Sequence, residues 1–184
     1  MQFGRRRNFR LCAAFAHERT GMTVKTMEDL FVETLKDIYY AEKQILKALP
    51  AMVKKAGSQK LKEALETHRQ ETEGQVDRLD RVFKLFDLSP RGKKCEAIEG
   101  IIAEAKEHME DIEDANVLDA GMIGAAQAVE HYEITRYGTL IAWAKQLGRD
   151  EAIRLLEENL KQEKHADKLL TEIAEAAVNR RAAA

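Results

Sequence analysis

Acidic side chains stand where a helical core should carry leucine. Phe31, Leu35, Ile38, Ala41, Ile45, Leu49 and Met52 recur at spacings of three and four, which is a helical stripe, and Glu42 lies in its middle. At about 100° per residue, His68 falls inside the apolar face of a second helix carrying Leu61, Ala64, Leu65, Leu79 and Val82. Glu71 and Gln75 flank it. On a third long helix Glu130 shares its line with Ile123, Ile134 and Ile141, and Glu133 follows one turn on. On a fourth, Glu163 is central among Leu156, Leu160 and Leu170, with Asp167 one turn later.

The heights of these acids agree. Glu42 stands 15 residues before Gly57 and Glu71 stands 14 after it. Counted from Gly148, Glu133 is 15 residues before, Glu130 is 18 before and Glu163 is 15 after. Asp37, 20 residues before Gly57, is out of level. Carboxylates gathered at one level of a dry core cannot all ionise unaided, and a cation is the physical remedy. Carboxylates with one imidazole suit iron or manganese better than zinc, which favours N/S-rich four-coordination. The candidate metal ligands are therefore Glu42, His68, Glu71, Glu130, Glu133, Glu163 and Asp167, and the expected cofactor is a dinuclear iron or manganese site. The competing reading is structural: one acid on an apolar stripe snorkels or is protonated, and two form a hydrogen-bonded pair. Inward acids on four helices at one height favour the metal. His17, His108, His131 and His165 lack such support. Tyr39, Tyr40, Tyr132 and Tyr137 fall near the site, with core packing as their first role.

The elements that must position these residues can be read from the same pattern. Thr26-Met27-Glu28-Asp29 is an N-cap followed by an acid at the third helical position. Pro50 should kink the last turns of the first helix. Gly57-Ser58 turns the chain into the second helix, which Leu88-Ser89-Pro90-Arg91-Gly92 breaks. A shorter helix is expected over Glu96–Ile112, a third long one from about Leu118 to Leu147, and a fourth after Gly148-Arg149-Asp150. Asn179–Ala184 should fray. The segments around Gly57 and Gly148 form a faint repeat of helix, glycine turn and helix. Two such hairpins joined by a long crossover make a four-helix bundle.

Composition agrees with an all-α fold. The 184 residues are 45% hydrophobic and 34% charged, with two prolines and few aromatics. A net charge of −2 gives no reason to expect nucleic acid as a partner. No apolar run approaches the roughly 18–20 residues of a membrane span. Cys12 and Cys95 make neither a disulfide framework nor a metal motif, which points to a reducing, cytoplasmic setting. Residues 1–21 differ from the rest. They hold Arg5, Arg6, Arg7, Arg10 and Arg19 against Glu18 and carry three of the six phenylalanines. Their apolar run, Leu11–Ala16, is short for a secretion signal. They are expected to be a disordered basic extension upstream of a start at Met22, with a domain over 22–178.

Three segments carry a resemblance: Asp37-Ile38-Tyr39-Tyr40-Ala41-Glu42-Lys43-Gln44, Cys95-Glu96-Ala97-Ile98-Glu99-Gly100, and Ala125-Ala126-Gln127-Ala128-Val129-Glu130-His131-Tyr132-Glu133-Ile134. With Tyr137-Gly138-Thr139-Leu140 they resemble the YciE/YciF family of bacterial ferritin-like proteins, over about Met22 to Val178. The resemblance implies a ferritin-like four-helix bundle similar to rubrerythrin, a homodimer and a bacterial stress role. The family's activity is not well defined, and the expectation for this chain is oxygen or peroxide chemistry at a di-metal site. Glu42, Glu71, Glu130 and Glu163 match the four glutamates of such sites, and Glu130-x-x-Glu133 is similar to the rubrerythrin type. Gly74 and Ala166 occupy the two histidine positions, with His68 and Asp167 as substitutes. A histidine-poor site changes redox tuning. The rival expectation is a non-enzymatic dimeric scaffold whose metal site is vestigial.

Overall fold

In the computed structural model, residues 24–184 are described. The basic segment 1–21 and the start at Met22 lie outside the described residues. Helix α1 (Met27–Lys55) begins as its sequence requires. The Thr26 hydroxyl accepts from the Asp29 N–H, and the Asp29 carboxylate accepts from the Thr26 N–H, a reciprocal cap. Pro50 removes the N–H that the Leu46 carbonyl would accept, yet α1 runs on to Lys55. The Ser58 hydroxyl caps α2 (Gln59–Lys84). Beyond it Asp87 takes a left-handed conformation, φ 54°, which short polar side chains tolerate. Helix α3 (Glu96–Asp111) follows, then α4 (Ala115–Gln146) and α5 (Asp150–Ile173). Helix α4 starts three residues before Leu118, because the Asp114 carboxylate caps the N–H groups of Asn116 and Val117. The C-terminal residues expected to fray form one short helical turn that buries no residue. A π-helical turn over Ala174–Val178 buries Ala174 and Val178, and α6 (Asn179–Ala182) continues to pack on α4.

The long helices form a closed ring in the order α1, α2, α5, α4, each touching its two neighbours. The two hairpin turns lie at opposite ends of this bundle. Asp119, near the start of α4, reaches the Gly57 turn, and Arg149, at the other turn, pairs with Glu28 at the start of α1. The crossover returns the chain along the bundle, and α3 packs on α1 and α4. Lys93 donates to the Lys36 carbonyl, Tyr40 donates to Glu99 at 2.6 Å, and the Lys55 ammonium reaches the Met109 carbonyl at 2.6 Å. Helix α3 buries Ile98, Ala105 and Met109 within the chain.

The core consists of the inward stripes: Phe31, Leu35, Ile38, Leu61, Leu79, Phe83, Leu140 and Leu156 are all fully buried. A buried aspartate fixes how the two hairpins meet. Asp119, 5% exposed, accepts from the backbone N–H of Gly57 and of Ser58, each at 2.7 Å. A Cβ at Gly57 would stand 3.3 Å from this carboxylate, so the turn needs glycine for the close approach. Asp119→Ala leaves both N–H groups without their charged acceptor, and charged hydrogen bonds contribute about 1.5–3 kcal/mol each. A urea-midpoint measurement is expected to show a loss of about 3 kcal/mol, with Asp119→Asn recovering part of it.

Candidate metal centre

Midway along the bundle each long helix delivers a polar side chain to the axis. Helix α1 brings Glu42, α2 brings His68 and Gln75, α4 brings Glu130 and Glu133, and α5 brings Asn159 and Glu163. All seven are buried. The ligand atoms of His68, Glu130, Glu133 and Glu163 lie within 4.8 Å of one another. The His68 Nε2 stands 3.4 Å from a Glu130 oxygen, and its Nδ1 stands 4.0 Å from a Glu163 oxygen. Glu42 joins through Glu133 on one side and Tyr137 on the other, whose hydroxyl donates to the Glu42 Oε1.

The charge state of the centre follows from burial. Desolvation pushes Glu42 up to about 7, against the opposing Tyr137 hydrogen bond and the Arg78 charge. Desolvation pushes Glu130 up to about 8, helped by the charges of Glu42, Asp167 and Glu71. Glu133 and Glu163 are raised well above the usual carboxylate range, first by burial and then by their neighbours' charges. Burial alone lowers His68 to about 4, which makes it a neutral imidazole, the form that ligates metal. Both oxygens of Glu133 and of Glu163, one oxygen each of Glu42 and Glu130, and the His68 Nδ1 are buried without a hydrogen-bond partner. Orphaned buried acceptors of this kind are rare in folded proteins and call for a ligand, water or shared protons. A cation held by carboxylate oxygens and one imidazole nitrogen matches the donor set, in the manner of iron or manganese. Proton sharing within the Glu42–Glu133 and Glu130–Glu163 pairs is the metal-free alternative.

Three of the seven candidate ligands stand outside the four-residue group: Glu42, which joins it as described, and Glu71 and Asp167. Glu71 is half-buried, raised mainly by desolvation and opposed by the charges of His165 and Arg78. Asp167 is engaged elsewhere: it accepts from the Gln127 amide at 2.9 Å and pairs with His131 at 3.4 Å. Sequence reasoning passed over a supporting chain of hydrogen bonds. The Arg78 guanidinium donates to the Asn159 Oδ1, the Asn159 amide donates to the Tyr137 hydroxyl at 3.0 Å, and Tyr137 donates to Glu42. Both side-chain amide atoms of Gln75 are buried and unpartnered beside this chain. A spacing rule would have found the chain: Asn159 lies four residues before Glu163, and Tyr137 lies four after Glu133, on the same helix faces. Cys95, buried and unbridged, places its sulfur 3.0 Å from the Tyr132 hydroxyl, away from the four-residue group.

Fold and site together define a helical-bundle protein with a buried carboxylate–histidine centre. The profile of the family described as "Domain of unknown function (DUF892)" matches residues 26–183, and the chain belongs to that family. Protein YciF of Escherichia coli K12 is 45% identical over 162 residues, covering 88% of this chain and 98% of that protein. The solved structure of the E. coli stress protein YciF matches with a TM-score of 0.81, over 85% of this chain and 99% of that one. A Rhodopseudomonas palustris protein, YcfI, whose description proposes a structural role, matches with a TM-score of 0.79 at 49% identity, over 86% and 98%. A Xanthomonas campestris protein matches with a TM-score of 0.66 at 26% identity, over 83% and 94%. Among the described residues no helix is long and apolar enough to cross a membrane.

Proposed function

We propose that this chain is a ferritin-like carboxylate protein that holds two iron or manganese ions between its four long helices and serves a bacterial stress response in the cytoplasm. The observation that carries the reading is the convergence of His68, Glu130, Glu133 and Glu163, with ligand atoms within 4.8 Å and most carboxylate oxygens unpartnered. The E. coli relative called a stress protein supports the biological setting. The ligand set proposed is Glu42, His68, Glu130, Glu133 and Glu163, with Glu71 and Asp167 at its rim. Such ions would supply one-electron chemistry towards oxygen or peroxide.

The chain's own residues have definable parts. Glu130 and Glu133, one turn apart on α4, would hold the ions from that helix. His68 presents a neutral nitrogen because burial disfavours its charged form. Tyr137 orients Glu42, and Asn159 orients Tyr137 while Arg78 fixes the Asn159 amide. Leu35, Ile38, Leu79 and Leu140, all fully buried, keep the surroundings dry. Dryness strengthens every charge interaction at the centre.

Protein purified without chelator is expected to carry about two iron or manganese ions per chain by elemental analysis, as bundle di-metal sites do. No metal after anaerobic reconstitution overturns this reading. It would leave the non-enzymatic dimeric scaffold as the reading, alongside an R. palustris relative whose description proposes a structural role. We include a homodimer in the proposal. Val24, Met27 and Leu30, exposed at one end of α1, support it, and light scattering on the same preparation tests it.

A further inference from the structure

A cavity of about 370 Å³ adjoins the centre, lined by residues of all five long and crossover helices. Protein interiors pack to crystal density, and voids much larger than a water molecule are few. An apolar cavity of about 150 Å³ already takes up benzene, so this one has room for a larger guest. The space exists because its wall is built from alanines. Ala48, Ala64, Ala126 and Ala166 line it, where a bundle core ordinarily carries leucine. Ala166 is telling. It stands three residues after Glu163, the place of the histidine in a Glu-x-x-His ligand pair. Its short side chain leaves the cavity open to the centre.

Gln44, Thr67, Glu71, Glu99 and His165 line the cavity nearer the surface, and its inner end is formed by His68 and Glu130. Both are buried, and the His68 Nδ1 and the Glu130 Oε2 have no protein partner. The outer wall includes the exposed Lys47 and Lys106, which mark the way in from solvent between α1 and α3. An apolar pocket with a few convergent polar groups is the general form of a small-molecule site.

We propose that this cavity binds a neutral aliphatic molecule of medium chain length, its hydroxyl or carbonyl end at His68 and Glu130 and its chain along the alanine wall. The charge of the guest follows from the centre. Four buried glutamates already crowd it, so a further carboxylate adds like charge in a dry site. A neutral hydroxyl can donate to the Glu130 Oε2 and accept from an imidazole N–H. The proposal names a ligand for the centre described above, but it rests on the cavity and on two side chains, not on bound metal.

Calorimetric titration with 1-octanol tests it, on metal-free and on manganese-treated protein. Saturable binding of one octanol per chain is expected in the metal-free form. Ala126→Leu and Ala166→Leu, which fill the inner cavity, should weaken binding at least tenfold. Ala48→Leu, at a half-buried outer position, narrows the cavity with less risk to folding and should weaken binding in the same direction. Octanoate should bind less tightly than octanol. No saturable octanol binding, equal binding in all three variants, or tighter binding of octanoate overturns the proposal. Failure of metal uptake leaves the octanol result standing, and failure of octanol binding leaves metal uptake standing.

Discussion

Replacing Glu163 with leucine is expected to raise the melting temperature of the metal-free protein and to erase its response to Fe(II) or Mn(II). Glu163 is 0% exposed, and neither of its carboxylate oxygens has a hydrogen-bond partner. Burial, then the charges of Glu42 and Glu130, hold its pKa far above the usual carboxylate range. Leucine of similar bulk removes this cost and adds apolar packing against Leu156 and Leu170. Replacing buried charged groups with apolar ones stabilises by about 1–4 kcal/mol where the change is tolerated. The opposing effect is the loss of a proton-shared contact with Glu130, which costs about 1–3 kcal/mol if Glu130 is stranded. Glu130 is not stranded, because the His68 Nε2 remains 3.4 Å away. The net expectation is a gain of about 1–3 kcal/mol, or roughly 3–10 °C for a chain of this size.

The metal arm runs the other way. Wild type should gain melting temperature with added Fe(II) or Mn(II) by mass action, and Glu163→Leu should not. His165→Leu, two residues along on an exposed position, should do neither. If Glu163→Leu lowers the metal-free melting temperature and wild type ignores metal, Glu163 is a structural hydrogen-bond partner and the di-metal reading fails.

How much of this was legible before the structure depends on what a periodic pattern encodes. A helical wheel reports the direction of a side chain from its own axis. That sufficed for Glu42, His68, Glu130, Glu133 and Glu163, which lie on the lines of apolar residues and prove buried. It does not report what occupies the neighbouring helix. Asp167 follows Glu163 by four residues, yet Gln127 on α4 stands opposite and takes its carboxylate. Glu71 is displaced around α2 from His68 and is left half-buried outside the group. The height argument placed Glu130, Glu133 and Glu163 at one level but picked Glu71 on α2, where His68 is the residue within reach of them. The Gly57 and Gly148 turns sit at opposite ends of the bundle, so equal counts from each give equal heights only near mid-helix. With α1 of 29 residues and α4 of 32, a count of 15 is close to the middle from either end. The start of α4 was read late because its first turn, Ala115-Asn116-Val117, precedes the apolar line and is held by a cap. Asp119 was invisible for a related reason: its partners are backbone N–H groups of a turn some sixty residues earlier. The cavity escaped altogether. Alanine and leucine count alike in an apolar pattern, and only packing reveals the difference in volume.

The pH dependence of the metal-free protein should be the reverse of the usual case. Most proteins lose stability in acid, because native carboxylates are paired and must be protonated. Here the four buried carboxylates of the centre have pKa values raised above the ordinary 4.5, Glu42 to about 7, Glu130 to about 8, and Glu133 and Glu163 upward as well, and half-buried Glu71 shifts in the same direction. Above about 4.5 the unfolded chain has released these protons while the folded chain still holds them. The folded state therefore binds more protons, and stability falls as pH rises. His68 acts in the opposite sense. Its folded pKa is lowered to about 4 from the ordinary 6.5, so below 6.5 the unfolded chain takes up a proton that the folded chain refuses. Its contribution is present above 6.5 and is lost as pH falls towards 4. Between pH 4.5 and 6.5 the two effects oppose each other, one histidine against four carboxylates. Above 6.5 the histidine no longer changes, and the carboxylates alone set the slope until about pH 8. The steepest loss is expected there. Each pKa unit corresponds to about 1.4 kcal/mol, so several kcal/mol are at stake, or a fall of roughly 10 °C or more in melting temperature between pH 6 and pH 8. The measurement is a series of melting curves in chelator across that range, with Glu163→Leu alongside. The variant has one fewer raised carboxylate and should show a shallower slope. Added Mn(II) should flatten the wild-type slope, because a cation holds the carboxylates charged in the folded state and removes the difference in bound protons. A melting temperature that instead rises from pH 6 to pH 8 without metal would mean that these carboxylates are ionised and paired in the folded chain, and the crowded-acid account of the centre would be wrong.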